Sequence, residues 1–202
     1  MKRLTWIFFV AVVASLLAFR GAATPAIGDG IPAAAVKMEN VDDRRLSIAD
    51  VAGAHGTLVI FSCNHCPWVR AWEDRIIAAA SDAAARGVGV IAINSNDPAA
   101  YPGDSFAEMQ ARAKAKGYGF PYVMDGTSEV GRAFGATHTP EVFLFDAHGK
   151  LAYHGAIDDN ARDVSKVSHH YLQDAVDAVV AGKPPAPQET KALGCSIQLR
   201  SQ

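Results

Sequence analysis

Two cysteines stand one helical turn apart, in Cys63-Asn64-His65-Cys66-Pro67, between two segments of different periodicity. Before them runs an apolar, β-branched stretch, Gly56-Thr57-Leu58-Val59-Ile60-Phe61-Ser62. After them Trp68, Trp72, Ile76 and Ala80 recur every fourth residue, with Val69 and Ile77 widening the stripe. A strand is therefore expected to deliver two thiols to the start of a helix. Pro67 suits the first turn, where its missing N–H costs nothing. Unpaired N–H groups and the positive end of the helix dipole favour a thiolate there. That setting lowers a thiol pKa and makes a dithiol reactive, whereas a zinc site would need two more ligands. The sequence has no second CxxC and no clustered HxxxH, so no metal and no cofactor is expected.

The remaining chain alternates strand and helix patterns. Residues 35–51 suggest a short hairpin, Val88–Ile93 a buried strand, Ser105–Lys116 a helix with Ser105 as N-cap and Glu108 three residues on. Phe120–Met124 reads as a strand, Ser128–Phe134 as a short helix, Glu141–Asp146 and Leu151–His154 as a hairpin, and Ser168–Ala181 as a last helix. This order predicts an α/β sandwich, a mixed β-sheet flanked by helices with an N-terminal β-hairpin extension. At 202 residues and 50% hydrophobic, one core is expected. A formal charge of -2 and scattered Lys and Arg give no case for nucleic acid.

Lys2 and Arg3 precede an uncharged, mostly apolar run from Leu4 to Phe19, followed by Gly21-Ala22-Ala23. Residues 1–23 are expected to be a signal peptide cleaved after Ala23, the alternative being an uncleaved anchor over residues 4–19. Export would put the dithiol in a periplasmic or secreted setting, where disulfides persist. A domain over residues 28–182 and an extended tail, 183–202, complete the expected organisation. The tail carries the third cysteine, Cys195, in Leu193-Gly194-Cys195-Ser196-Ile197.

Three features together resemble the thioredoxin superfamily, in its TlpA-like and AhpC/TSA (redoxin) branch. They are the strand–Cys63-Asn64-His65-Cys66–helix unit, Thr139-Pro140 leading into an apolar strand, and about 75 residues between the two. The resemblance covers roughly residues 28–182 and implies a thioredoxin-like sandwich with a redox-active Cys63–Cys66 disulfide. It implies that Cys63 is the nucleophile, at an exposed lip, and that Cys66 resolves. It also implies a cis Thr139–Pro140 bond that, with Thr139, forms the edge holding a substrate's backbone. Asn64 and Trp68 are counted with that substrate-binding group, and His65 with the catalytic one through its partial positive charge. Ser62 and Asn64-His65 replace the more familiar Trp and Gly-Pro of thioredoxin, and Thr57–Ser62 contains no acid. Water, His65 or Glu141 is left as the proton relay. Cys195 is an accessory thiol, a bond to another chain, or an inert buried thiol; all three remain open.

The implied activity is exported thiol-disulfide exchange with protein disulfide or dithiol substrates and a membrane or periplasmic thiol redox partner. One alternative is a peroxiredoxin-like thiol peroxidase using Cys66 or Cys63, weakened because Cys63 stands where peroxiredoxins carry Thr or Ser. The other is a copper-binding redoxin, since soft thiolates favour Cu(I). The two-residue cysteine spacing argues against the Sco type, which uses three.

Overall fold

A computed structural model describes residues 23–201, so the expected export signal over residues 1–23 lies outside the described residues except for Ala23. No helix among the described residues is long and apolar enough to cross a membrane. The strands are β1 (Met38–Asn40), β2 (Arg45–Leu46), β3 (Gly56–Phe61), β4 (Val88–Asn94), β5 (Tyr122–Met124), β6 (His138–Thr139), β7 (Glu141–Asp146), β8 (Leu151–Gly155) and β9 (Cys195–Ser196). The helices are α1 (Pro67–Ala85), α2 (Phe106–Lys116), α3 (Glu129–Ala133) and α4 (Tyr171–Val180).

Seven strands make one mixed sheet. The hydrogen-bonded runs β2-β1-β5-β4 and β3-β7-β8 meet where β3 and β4 lie side by side. There the His55 N–H donates to the Gly87 carbonyl (3.0 Å) and the Ser62 N–H to the Ile93 carbonyl (2.9 Å). Both chains advance in the same direction, the parallel pairing that a crossover through α1 requires. β4 and β5 are also parallel; β7 is antiparallel to β3 and to β8. The β1–β2 hairpin continues the main sheet, because β1 pairs antiparallel with β5.

β3 is buried on both faces, and its alternating side chains feed two cores. Leu58 and Ile60 pack with Trp72 and Ile76 of α1, Met109 of α2 and Leu172 and Val176 of α4. Val59 and Phe61 pack on the other side with Met38, Ile48, and Val130 and Phe134 around α3. Truncating a buried aromatic such as Trp72 costs roughly 3–5 kcal/mol, against about 0–1 kcal/mol for an exposed ion pair. The two cores, not the surface charges, therefore hold the sandwich together and fix the end of β3 against α1.

Three details depart from the sequence reading. Ser105 is the N-cap of α2, but its side chain makes no capping hydrogen bond, and Glu108 is exposed. α4 begins at Tyr171, because residues 164–166 form a separate short turn and His169 and His170 remain exposed. Residues 183–201 do not trail away from the sheet. Glu189 bridges to His154, Thr190 bonds Tyr153 and Ala156, and β9 pairs with β6.

Candidate active site

β3 ends at Phe61 and α1 begins at Pro67, so Cys63–Cys66 forms the connection, with Cys66 as the N-cap of α1 and Pro67 in the first turn. The opposite wall comes from β6 and the cis Thr139–Pro140 bond. Thr139 touches both sulfurs. Its hydroxyl is 3.2 Å from Cys63 Sγ, and its carbonyl is 3.1 Å from Cys66 Sγ. A third sulfur joins them: Cys195 Sγ lies 2.7 Å from Cys66 Sγ, and all three cysteines are free thiols.

Cys63 does not sit at an exposed lip. It is 1% exposed and Cys66 0%, while Cys195 is half-buried. The two sulfurs form a small cluster with Val69, against which Trp68 and Cys195 pack. The tail contributes to this cover, laying β9 along β6 with Cys195 opposite Thr139 and packed on the cluster. The sequence offers no way to see that a segment more than fifty residues downstream of Thr139 returns to cover the dithiol.

The Asn64-His65 pair is held from beneath by Asp104, which is fully buried. Its carboxylate accepts from the Asn64 N–H (2.7 Å), the His65 N–H (3.2 Å) and Asn96 Nδ2 (2.8 Å), and pairs with His65 Nδ1 at 2.6 Å. His65 also stacks on Tyr101, ring centroids 3.9 Å apart. Asn64 Nδ2 donates to the Gly103 carbonyl (3.0 Å), and the buried Tyr122 hydroxyl donates to Asn64 Oδ1 (3.1 Å). Asn64 thus braces the loop, and it also lines a cavity with Arg70, Gly103 and Arg112. Trp68 is half-buried beside Trp72, centroids 5.9 Å apart.

Asp104 is the residue that sequence reasoning missed. It belongs to the turn Tyr101-Pro102-Gly103-Asp104, and only the fold brings that turn under the dithiol loop. Glu141 does not replace it as a relay among the sulfurs. Its hydrogen bonds go to His154 Nε2 (2.8 Å) and the N–H groups of Thr137 (2.8 Å) and His138 (3.0 Å). Burial opposes the Glu141 charge, but those bonds outweigh it and hold the carboxyl below its usual range. Glu141 therefore fixes the backbone leading into Thr139. His138 sits on β6 with Nδ1 beside Thr137 Oγ1 at 2.8 Å.

Cys63, His65 and Asp104 bring one ligand atom each within 4.8 Å of one another. The Asp104 oxygens are already occupied by four hydrogen-bonding partners, and His65 Nδ1 is turned onto one of them. The group is better described as a braced loop than as a metal cradle.

The two buried thiols titrate together. With the charge on Cys66, the Cys63 thiol, the Cys195 thiol and the Val69 amide outweigh burial and draw Cys66 down to about 4. Cys63 is then pushed up, first by that neighbour, then by burial and by the Asp104 charge. The Thr139 carbonyl opposes charge on Cys66 and its hydroxyl favours charge on Cys63, so the first proton lost belongs to the pair. Burial, and then the Cys66 thiolate, push Cys195 up to about 11. The folded pair ionises below an ordinary thiol, so the reduced protein should carry one thiolate at neutral pH. Its ultraviolet absorbance should persist through the ordinary thiol range and be lost only in more acid solution. Loss of the absorbance near pH 8 instead would show that the neighbouring donors do not lower the Cys66 pKa. In Cys195→Ala the inflection should move up, because the thiol that donates to Cys66 is removed.

Two solved structures match over nearly the whole fold. A hypothetical protein of Sinorhizobium meliloti 1021 is 32% identical, with TM-score 0.81 over 90% of this chain and 99% of its own. An uncharacterized conserved protein of Geobacillus kaustophilus is 34% identical, with TM-score 0.82 over 90% and 96%. The thioredoxin domain of a thiol-disulfide oxidoreductase of Bacteroides vulgatus is 17% identical, with TM-score 0.54 over 65% and 89%, a likeness of fold alone. A comparison with curated proteins returns no match. Residues 27–154, running from the segment before β1 through nearly all of β8, match the AhpC/TSA family. The chain belongs to the AhpC/TSA family, on a thioredoxin-like fold.

Proposed function

We propose that the protein is an exported thiol-disulfide oxidoreductase in which Cys63 attacks and Cys66 resolves. The observation that carries this is Thr139 spanning both sulfurs, its hydroxyl on Cys63 and its carbonyl on Cys66, at the start of an apolar strand. A hydroxyl 3.2 Å from Cys63 can donate to a thiolate there, while the helix start supplies positive potential. Cys63 as thiolate attacks one sulfur of a client protein's disulfide, forming a mixed disulfide and releasing one client thiolate, which takes a proton. Cys66 then attacks Cys63 Sγ, breaks the mixed disulfide and releases the second client thiol. The client gains two electrons, and the chain is left with a Cys63–Cys66 disulfide. The reverse sequence oxidises a client dithiol.

The basic and apolar start of the sequence supports export to a compartment where such disulfides persist. A membrane or periplasmic thiol partner would then reset the dithiol. His65, held by Asp104, positions the loop between the two cysteines and is placed to influence the charge on either.

Equilibrating the full chain in glutathione redox buffers and trapping with an alkylating reagent tests the reading. A Cys63–Cys66 disulfide that appears and disappears with the buffer, and passes to a protein client, is the expected result. Neither cysteine joining its neighbour or a client would overturn it. Mixing the reduced chain with hydrogen peroxide separates exchange from peroxidase chemistry, which AhpC/TSA membership also encompasses. Oxidation no faster than that of a free thiol is expected.

A further inference from the structure

The tail does to Thr139 what a bound client strand would do. β9 pairs antiparallel with β6, placing Cys195 opposite Thr139 and Ser196 opposite His138, and the Ile197 N–H donates to the Thr137 carbonyl (3.0 Å). A Cβ on Gly194 would lie 2.2 Å from the Thr139 carbonyl oxygen, so only glycine permits the approach. The segment is pinned on both sides of Cys195. Upstream, Thr190 Oγ1 accepts from the Ala156 N–H (2.9 Å); downstream, the Gln198 N–H donates to Asn96 Oδ1 (2.8 Å) and Arg200 Nη1 to the Asp125 carbonyl (2.8 Å). The result is a cysteine held with its sulfur 2.7 Å from Cys66 Sγ, closer than the roughly 3–3.5 Å separation of reacting atoms in a near-attack arrangement.

We propose that β9 is a built-in exchange partner, and that one disulfide moves between Cys63–Cys66 and Cys66–Cys195. The proposal rests on the exchange chemistry assigned above to Cys63 and Cys66. Oxidation of that pair by a client disulfide or glutathione disulfide requires β9 to lift from β6, because Cys63 and Cys66 are closed to solvent while the strand is docked. Cys195 Sγ then attacks Cys66 Sγ, the Cys66–Cys195 bond forms and the Cys63–Cys66 bond breaks. The proton leaving Cys195 ends on Cys63, and no external oxidant or reductant is consumed. The exchange frees Cys63 as a thiol and carries the disulfide to Cys195, the half-buried member of the three. An outside protein dithiol can reach the link there, whereas Cys63 and Cys66 are closed to solvent. The same strand occupies the edge a client would use, so a client must displace it or be served through Cys195.

Mapping disulfide-linked peptides in the full chain decides the matter, after graded oxidation with glutathione disulfide, acid quenching and alkylation. Expected is a Cys66–Cys195 peptide accompanied by alkylated Cys63, and in Cys63→Ser the Cys66–Cys195 link as the sole intrachain disulfide. Gly194→Ala should lose that link while keeping Cys63–Cys66. Reduction of the oxidised chain by thioredoxin should slow by at least roughly tenfold in Cys195→Ser, because access to the link is lost. A Cys63–Cys66 disulfide with Cys195 alkylated in every sample, or Cys195 linked only between chains, overturns the proposal and leaves the exchange reading intact. Failure of Cys63–Cys66 to form even in Cys195→Ser overturns both.

Discussion

Cys66→Ser is expected to stop turnover and to leave clients trapped on Cys63. Serine preserves the size of the side chain, and Cys66 lies in a packed cluster with Cys63 and Val69, so the fold should persist. The chemistry should not. A mixed disulfide at Cys63 is released only when a second sulfur attacks it, and the proposed second sulfur is gone. Residues that act as one unit lose nearly all of the rate when either is removed, so a fall on the order of a thousandfold is expected. The measurement is client turnover together with mass spectrometry of acid-quenched adducts. Cys63→Ser should lose the turnover that begins with attack by Cys63 and should trap no client at residue 66, its remaining thiols closing the Cys66–Cys195 link instead. Adducts that accumulate on Cys66 in Cys63→Ser, and not on Cys63 in Cys66→Ser, would reverse the two roles. This outcome is informative because charge in the reduced pair is favoured on Cys66 by its thiol neighbours and on Cys63 by the Thr139 hydroxyl.

Asp104→Ala should be the most destabilising substitution at the site. The carboxylate is wholly buried and accepts from two main-chain N–H groups and the Asn96 amide, besides pairing with His65. Alanine leaves those donors without a partner at a cost of about 1–3 kcal/mol each, reduced where water enters, for a total of roughly 3–4 kcal/mol. Denaturant unfolding of the reduced protein would show this, as would a fall in Tm of about 10 °C for a chain of this size. Asp104→Asn keeps one acceptor oxygen and separates charge from bracing. The Asp104 charge raises the Cys63 pKa, so removing it must lower that pKa and move Cys63 reactivity to lower pH. A destabilised Asp104→Asn protein with an unmoved pH profile would mean that the residue only braces the loop.

The AhpC/TSA fold was legible because its signals are local. The β-branched run of β3, the four-residue stripe of α1 and Pro67 at the helix start each act over one element, and each is found where the pattern put it. Thr139-Pro140 was legible for the same reason, as a short motif at the start of an apolar strand, and its bond is cis. The exposure of Cys63 was not, because burial depends on what arrives from elsewhere. The acid beneath the loop lies neither in β3 nor in Glu141; it comes from Asp104, forty residues beyond Asn64 in sequence and 2.7 Å from its N–H.

By itself the sequence determined that a strand hands two thiols to a helix, because side-chain periodicity and the missing N–H of proline act on neighbouring residues. Only the tertiary structure decided that a third thiol meets them, that an aspartate carries the loop, and that the tail fills the edge beside Thr139. Those pairings join residues 40 to 129 positions apart. Hydrogen bonds and sulfur contacts are short-ranged in space and indifferent to distance along the chain, so nothing in local composition announces them.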